Sequence, residues 1–410
     1  MRFSIEFLGC KISQTDAQTV RERLLRGGII EAEMGGDVHG VNSCCVTHEA
    51  VGKSRKAVRR ALREGAGAVL VTGCGTRLAG AFDDLGPAVT VMAEQSEAVA
   101  ERIAGQLGAT ACVGPPPGAD RARAFLKVQD GCSFSCSFCV IPKVRGASRS
   151  RRLDAILDEA RRRIAAGQRE LVVTGVNLGL YRDREARCSL AEVIVALADL
   201  DGVARVRLSS IEVNHLDERL CAALEHPRVA PHLHVPLQSG DDRVLAEMRR
   251  RYDARSFVTR IERARRHVPG LNVTGDAIVG FPGEDAAAFE RTLALVREIG
   301  LTKVHVFPYS PRPDTRTAAA DPVPAAEKRR RSAVLRALSD AQGRCWREQR
   351  VGKLDEVLVE RRRTDGWLTG YGADYTPWLL APLAEAARGS MITAVGEQAG
   401  GEAVLGRAVA

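Results

Sequence analysis

No stretch of about 18 uninterrupted apolar residues occurs in the 410-residue chain, which excludes a conventional membrane-spanning helix. The start, Met1-Arg2-Phe3-Ser4-Ile5-Glu6-Phe7-Leu8, lacks the long apolar run of a signal peptide and reads as an alternating strand. A cytoplasmic protein without a membrane partner is expected. Eleven cysteines in such a chain argue against a disulfide framework and for metal or redox use, and the odd number would leave one unpaired. The densest group, Cys132, Cys136 and Cys139, has the spacing C-x3-C-x2-C but no fourth cysteine nearby. No histidine stands near it either; the closest downstream is His215. A structural zinc site needs four ligands. Three thiolates can instead hold three irons of a cubane 4Fe–4S cluster, leaving the fourth iron open to an exogenous ligand.

The 45% hydrophobic content is ordinary for a globular protein, and 410 residues exceed one usual core, so two to three domains are expected. A net charge of +9 points to a polyanionic partner such as RNA. Residues 1–112 alternate short strands with helices, the pattern of a small open α/β sheet. Cys10, Cys44 and Cys74 each follow one of its first three strands. In a parallel sheet the C-terminal strand ends share one edge, so these thiols can converge into a second metal site. Cys45, beside Cys44, is an alternative at that position, and Cys112 carries no motif. Gly114-Pro115-Pro116-Pro117-Gly118-Ala119-Asp120 is a linker.

Residues 121–345 alternate strands and helices over roughly six βα units, as in a parallel barrel or part of one. Polar clusters recur at the strand ends: Thr174-Gly175-Val176-Asn177, Ser209-Ser210-Ile211-Glu212, Gln238-Ser239-Gly240-Asp241 and a run from Asp276 to Glu284. Gly175 permits a sharp turn and close approach to a ligand. Ser209 and Glu212 offer groups suited to a ribose. Arg145 and Arg149 open a basic run directly after the cysteine triplet, suited to a carboxylate or an RNA backbone. A long helix over 325–350 leads into residues 347–410, whose five short strand patterns imply a compact β-barrel. There, Arg361, Arg362 and Arg363 with Trp367, Tyr371, Tyr375 and Trp378 offer cations and stacking faces for RNA.

The triplet, with Phe138 before its last cysteine, resembles the signature of the radical S-adenosylmethionine (SAM) enzymes. Leu8-Gly9-Cys10-Lys11-Ile12-Ser13-Gln14, Val41-Asn42-Ser43-Cys44-Cys45-Val46-Thr47 and Val71-Thr72-Gly73-Cys74 resemble the three cysteine motifs of the methylthiotransferase branch of that superfamily. The resemblance implies an N-terminal α/β domain, a central partial (β/α)6 barrel and a C-terminal TRAM-like RNA-binding barrel. It further implies two 4Fe–4S clusters, an auxiliary one on Cys10, Cys44 and Cys74 and a SAM-binding one on Cys132, Cys136 and Cys139. Cys44 rather than Cys45 occupies the ligand position of the motif. By the same resemblance, Thr174, Gly175 and Asn177 correspond to the motif near the SAM amino group, while Phe138, Ile141 and Asp276 lie near its adenine.

Within the family, Cys10-Lys11 with Gln14, Leu208-Ser209-Ser210-Ile211-Glu212 and Val306-Phe307-Pro308-Tyr309-Ser310-Pro311-Arg312 most resemble the enzyme acting on N6-threonylcarbamoyladenosine in the tRNA anticodon loop. Its relatives act on isopentenyladenosine in tRNA or on a ribosomal-protein aspartate, and a non-catalytic metal-containing RNA-binding protein is the reading from a different class. Val213 and Asp314 depart from the Pro and Gly usual at their positions, which bears on local loop shape. A one-electron reductant such as flavodoxin or ferredoxin is implied as a partner.

Overall fold

The computed structural model describes residues 2–32, 36–109 and 121–409. The linker at 114–120 and Cys112 lie outside the described residues. The chain divides into two compact units: Met1–Gly118 with Asp130–Ser148 and Ser310–Ala319, and Ala119–Gln129 with Arg149–Tyr309 and Ala320–Ala410.

In the first unit, β1 (Arg2–Phe7), α1 (Lys11–Arg26), β2 (Ile30–Glu31), β3 (Val38–Ser43), α2 (His48–Arg63), β4 (Ala68–Gly73), β5 (Val89–Val91) and α3 (Ser96–Gln106) follow in order. The strands form a parallel sheet in the order β2-β1-β3-β4-β5. Its strands are Val-rich because both faces are covered. Phe3, Leu70 and Met92 pack with Val20 and Leu24 of α1 and Ile103 of α3, whereas Val41, Val69 and Val71 pack with Ala57 and Val58 of α2. Thr47 caps α2, its hydroxyl accepting from the Ala50 amide. The sequence reading did not include α3, whose buried face of Val99, Ala100, Ile103 and Ala104 is half alanine and gives little hydrophobic contrast.

β6 (Arg123–Asp130) runs into the cysteine loop, followed by α4 (Ile141–Arg145) and β7 (Arg149–Ser150). The second unit continues with α5 (Leu153–Ala165), β8 (Glu170–Gly175), β9 (Arg182–Asp183), β10 (Cys188–Ser189), α6 (Leu190–Ala198), β11 (Arg205–Leu208), α7 (Glu218–Ala223), β12 (His232–His234), α8 (Asp242–Glu247), α9 (Ala254–His267), β13 (Asn272–Val279), α10 (Ala286–Ile299), β14 (Lys303–Pro308) and α11 (Ala325–Glu348). Parallel pairing gives β6–β8–β11 and β12–β13–β14. Parallel bridges Val206↔Val229 and Ser210↔His234 join them across β11 and β12. The result is a six-stranded parallel barrel, open between its first and last strands among the described residues. Asp217, Asp241 and Asp285 each cap the helix that follows a strand-end loop, so those loops turn sharply into their helices, and Asp253 caps α9 after α8.

The tail forms a closed five-stranded barrel from β15 (Leu354–Arg362), β16 (Leu368–Tyr371), β17 (Pro377–Leu380), β18 (Met391–Ala399) and β19 (Val404–Ala408). Trp378 fills its centre with Val357, Leu380 and Val404. Gly406 is required there, because a Cβ would stand 2.8 Å from the indole. Two aromatic expectations are corrected here. Trp378 is only 1% exposed. Tyr371 and Tyr375 stack on each other with centroids 4.6 Å apart, and Arg123 and Arg207 of the larger barrel lie over the Tyr375 ring. These rings are spent on holding the two barrels together, not on presenting a stacking face. Arg123, Arg205 and Arg207 also converge on Glu170, which is fully buried. Among the described residues, no helix is long and apolar enough to cross a membrane.

Candidate functional site

The first unit brings its three predicted cysteines to one sheet edge. Cys10 caps the start of α1 just past β1, Cys44 directly follows β3, and Cys74 opens a 3-10 turn at the end of β4. Because β1, β3 and β4 are adjacent and parallel, these positions are neighbours across the sheet. Glycines clear the space. A Cβ on Gly9, at φ +128, would lie 3.2 Å from the Cys44 sulfur, and one on Gly73, at φ +86, would lie 2.6 Å from Asn42 Oδ1 and the Ser43 carbonyl. Burial pushes the Cys44 thiol up, and Cys10 and Cys74 add to that push, so the three sulfurs feel one another.

Cys74 is set apart electrostatically. The neighbouring Cys45 thiol and the Arg145 guanidinium beside it together outweigh burial and hold Cys74 below the ordinary thiol range. Cys45 is correspondingly pushed up. Cys45 is fully buried, and its carbonyl accepts from Arg312 Nη1 at 3.2 Å. Cys45 and Cys44 thus follow β3 together, with Cys45 turned into the protein interior. Asp314, where glycine is usual, adopts φ +60 in the loop after Arg312, so the chain keeps the left-handed turn that glycine would favour.

The loop carrying Cys132, Cys136 and Cys139 belongs to the same unit, and all three thiols are partly exposed. The Cys132 amide donates to the Gly146 carbonyl at 3.0 Å, which closes the loop. The Phe134 amide points to the Cys132 sulfur at 3.4 Å. Gly131, at φ +71, lets the chain pass the Ala147 carbonyl, which a Cβ would approach to 2.1 Å. Phe138 is half-buried within the loop, and Ile141 packs against Cys45, Cys74, Val140 and Val144. The donor set fits an iron–sulfur cluster: three soft sulfurs on a short, closed loop, amide donors toward sulfur, and no His or carboxylate in the set.

Arg145 departs from expectation. Its side chain is only 9% exposed, and its guanidinium is divided among Cys74, Asp16 of α1 and Asp130 at the end of β6. Those partners consume the donors that an RNA phosphate or a SAM carboxylate would require. The basic run in the sequence could not reveal this, because the acceptors lie 15 to 129 residues away. Arg149 is exposed in β7.

In the second unit, the predicted polar residues do lie at the C-terminal ends of the barrel strands. Thr174 is buried and donates to the Val172 carbonyl. The Asn177 amide donates to Gln129 Oε1 at 2.8 Å, and a Cβ on Gly175 would come within 3.0 Å of that same oxygen. Gln129, buried on β6, holds the Asn177 amide, a contact that no local pattern in the chain marks. Ser209 is buried, its amide bonded to the Val173 carbonyl. Glu212 pairs with Arg250, another partner the sequence concealed, and burial raises its carboxyl despite that pairing. Gln238 adopts φ +67, and its amide donates to the Asp276 carbonyl. Asp276 lies inside β13. On the tail, Arg361 is exposed, Arg362 donates to the carbonyls of Leu383, Ala384 and Ala386, and Arg363 pairs with Asp365.

Comparison with known proteins places these features. The radical SAM superfamily is matched over residues 126–296, and the uncharacterized protein family UPF0004 over residues 2–88. The threonylcarbamoyladenosine tRNA methylthiotransferase MtaB of Thermotoga maritima is 34% identical over 388 residues, covering 90% of this chain and 89% of that protein. The Bacillus subtilis protein of the same name is 32% identical over 397 residues, covering 90% and 88%. In fold, the chain is similar to the radical SAM methyltransferase TsrM of Kitasatospora setae, with a TM-score of 0.58 at 15% identity, covering 77% of this chain and 75% of that one.

Proposed function

The chain belongs to the radical SAM methylthiotransferase family, and from that premise we propose that it converts N6-threonylcarbamoyladenosine at position 37 of tRNA to its 2-methylthio derivative, using two 4Fe–4S clusters. The observation that carries this reading is the pair of cysteine triads in one compact unit, with Arg145 reaching from the helix after one triad to a cysteine of the other. Cys132, Cys136 and Cys139 would hold the cluster that binds SAM, and Cys10, Cys44 and Cys74 the auxiliary cluster. When bound, these groups supply one-electron reduction of SAM and a site for sulfur, chemistry that no side chain of the protein provides.

The side chains then bind and orient. The target carbon of the adenine bears no acidic proton, so general acid–base groups have no part in opening its C–H bond. Gly175, Asn177, Ser209, Glu212 and Gln238 line the barrel edge where SAM would lie. Gly175 contributes by lacking a side chain, and Glu212 by a carboxylate whose charge Arg250 balances. Arg145 places a positive charge beside Cys74 and ties the Asp16 and Asp130 carboxylates to its guanidinium. The tRNA must present its base unstacked, as single-stranded loops do. Arg149 and Arg361 are exposed cations suited to its backbone.

The test is anaerobic turnover on an anticodon stem-loop RNA carrying the modified adenosine. The reconstituted enzyme is expected to bind about eight irons per chain and to yield a 2-methylthio nucleoside. About four irons per chain would remove the two-cluster reading, and product only on an isopentenyl-bearing RNA would remove the substrate reading.

A further inference from the structure

On the premise of that substrate, we propose that His305, Asp276 and His234 form the subsite that reads the substituent on the adenine N6, a urea linked to an amino-acid carboxylate. The three residues stand on adjacent parallel strands, β14, β13 and β12, with Asp276 paired in register to His305. Their donor and acceptor atoms all lie within 4.8 Å of one another. His234 Nε2 is 3.1 Å from Asp276 Oδ1, and its ring is 5.6 Å, centroid to centroid, from that of His305. Thr274 Oγ1 meets His234 Nδ1 at 3.0 Å, which fixes the ring with its other nitrogen toward Asp276. The bridge Ser210↔His234 puts the group level with the chain just past the end of β11, on the barrel edge where ligands bind.

The cluster is reachable. Along β14 the burial alternates, so Val304 and Val306 enter the core with Leu335 of α11 while His305 and Phe307 face the other way. Phe307 is 41% exposed, a large apolar ring left bare two residues from an exposed histidine. An unstacked base needs such a ring, and aromatic stacking is how single-stranded bases are held.

The chemistry of the group matches the substituent on both counts. The urea N–H groups donate, and Asp276 is an acceptor. The carboxylate only accepts, and His305 can donate to it. An isopentenyl substituent has neither donor nor acceptor and would gain nothing from these groups.

The experiment uses the reconstituted full chain and compares binding, by fluorescence anisotropy, of two stem-loop RNAs that differ only in carrying N6-threonylcarbamoyladenosine or plain adenosine. The wild-type protein is expected to prefer the modified RNA by at least about tenfold. His305→Gln and Asp276→Asn are each expected to reduce that preference to about twofold while leaving affinity for the plain RNA unchanged. Retention of the full preference in both variants would overturn the subsite, as would an equal loss of affinity for both RNAs. If the preference disappears in EDTA with the side chains intact, the three residues hold a divalent cation, as two histidines and a carboxylate commonly do, and the subsite is again overturned. No preference in the wild-type protein, with turnover on an isopentenyl-bearing RNA instead, would remove the substrate reading on which the subsite rests.

Discussion

Nε of Arg145 donates to the sulfur of Cys74 at 2.9 Å, while the rest of the same guanidinium is held by Asp16 and Asp130. A residue of the helix that follows one cysteine triad is therefore a hydrogen-bond donor to a cysteine of the other. Hydrogen bonds to cluster sulfurs stabilise the more negative, reduced form and raise its potential. Arg145→Gln is expected to lower the reduction potential of the auxiliary cluster, read by EPR-monitored titration. Arg145→Lys, which keeps the charge but loses the planar fork, is expected to fall between. Unchanged potentials in both would show that the contact has no bearing on the cluster.

The two proposed ligand sets are expected to act independently. Replacing Cys132, Cys136 and Cys139 together by alanine is expected to leave about four irons per chain after reconstitution, and replacing Cys10, Cys44 and Cys74 likewise about four. Cys45→Ala is expected to retain both clusters, because the proposed ligand at that position is Cys44, with Cys45 fully buried. Iron and sulfide analysis distinguishes these outcomes, and loss of about half the iron in Cys45→Ala would reassign the ligand.

Much of this site was legible in the sequence because its signals are local. Cys132, Cys136 and Cys139 fall in one loop, and Cys10, Cys44 and Cys74 each follow a strand whose apolar run is plain. The run that begins at Asp276 does fall at the end of a strand, β13. What stayed hidden depends on long-range pairing. Arg145 reads as one cation in a basic run until Asp16 and Cys74 are brought beside it. Glu212 gives no hint of Arg250, and Tyr371 and Tyr375 look like RNA-stacking residues until Arg123 and Arg207 are seen across from them. Charges and aromatics are ambiguous in sequence because either solvent, a ligand or another part of the chain can satisfy them.

The junction of the two barrels should therefore answer to stability, not to RNA. Tyr375→Ala removes a ring stacked on Tyr371 and lying against two guanidinium groups. A loss of about 3–5 kcal/mol is expected in urea unfolding. RNA affinity measured below the transition should be unchanged. Arg361→Ala, on an exposed side chain, is expected to do the reverse: weaken RNA binding and reduce its salt dependence with no change in stability.

Glu170 gives that junction a pH dependence. Burial would raise its carboxyl, but Arg207, Arg123 and Arg205 outweigh burial and hold it down at about 2. A carboxyl depressed from an ordinary value of 4.5 contributes stability that is fully present above pH 4.5 and is lost as pH falls toward 2. The contribution is on the order of 3 kcal/mol. Glu170→Gln, which leaves three buried guanidiniums without their anion, is expected to cost about 3–5 kcal/mol at neutral pH and to flatten this acid limb. Urea titrations at a series of pH values check both, and an unaltered acid limb in the variant would contradict the assignment.

The central claim is the modification itself, and nucleoside analysis of tRNA from cells lacking the gene tests it most directly. Loss of 2-methylthio-N6-threonylcarbamoyladenosine, with the unthiolated nucleoside accumulating in its place, is the predicted result. An unchanged nucleoside profile would contradict it.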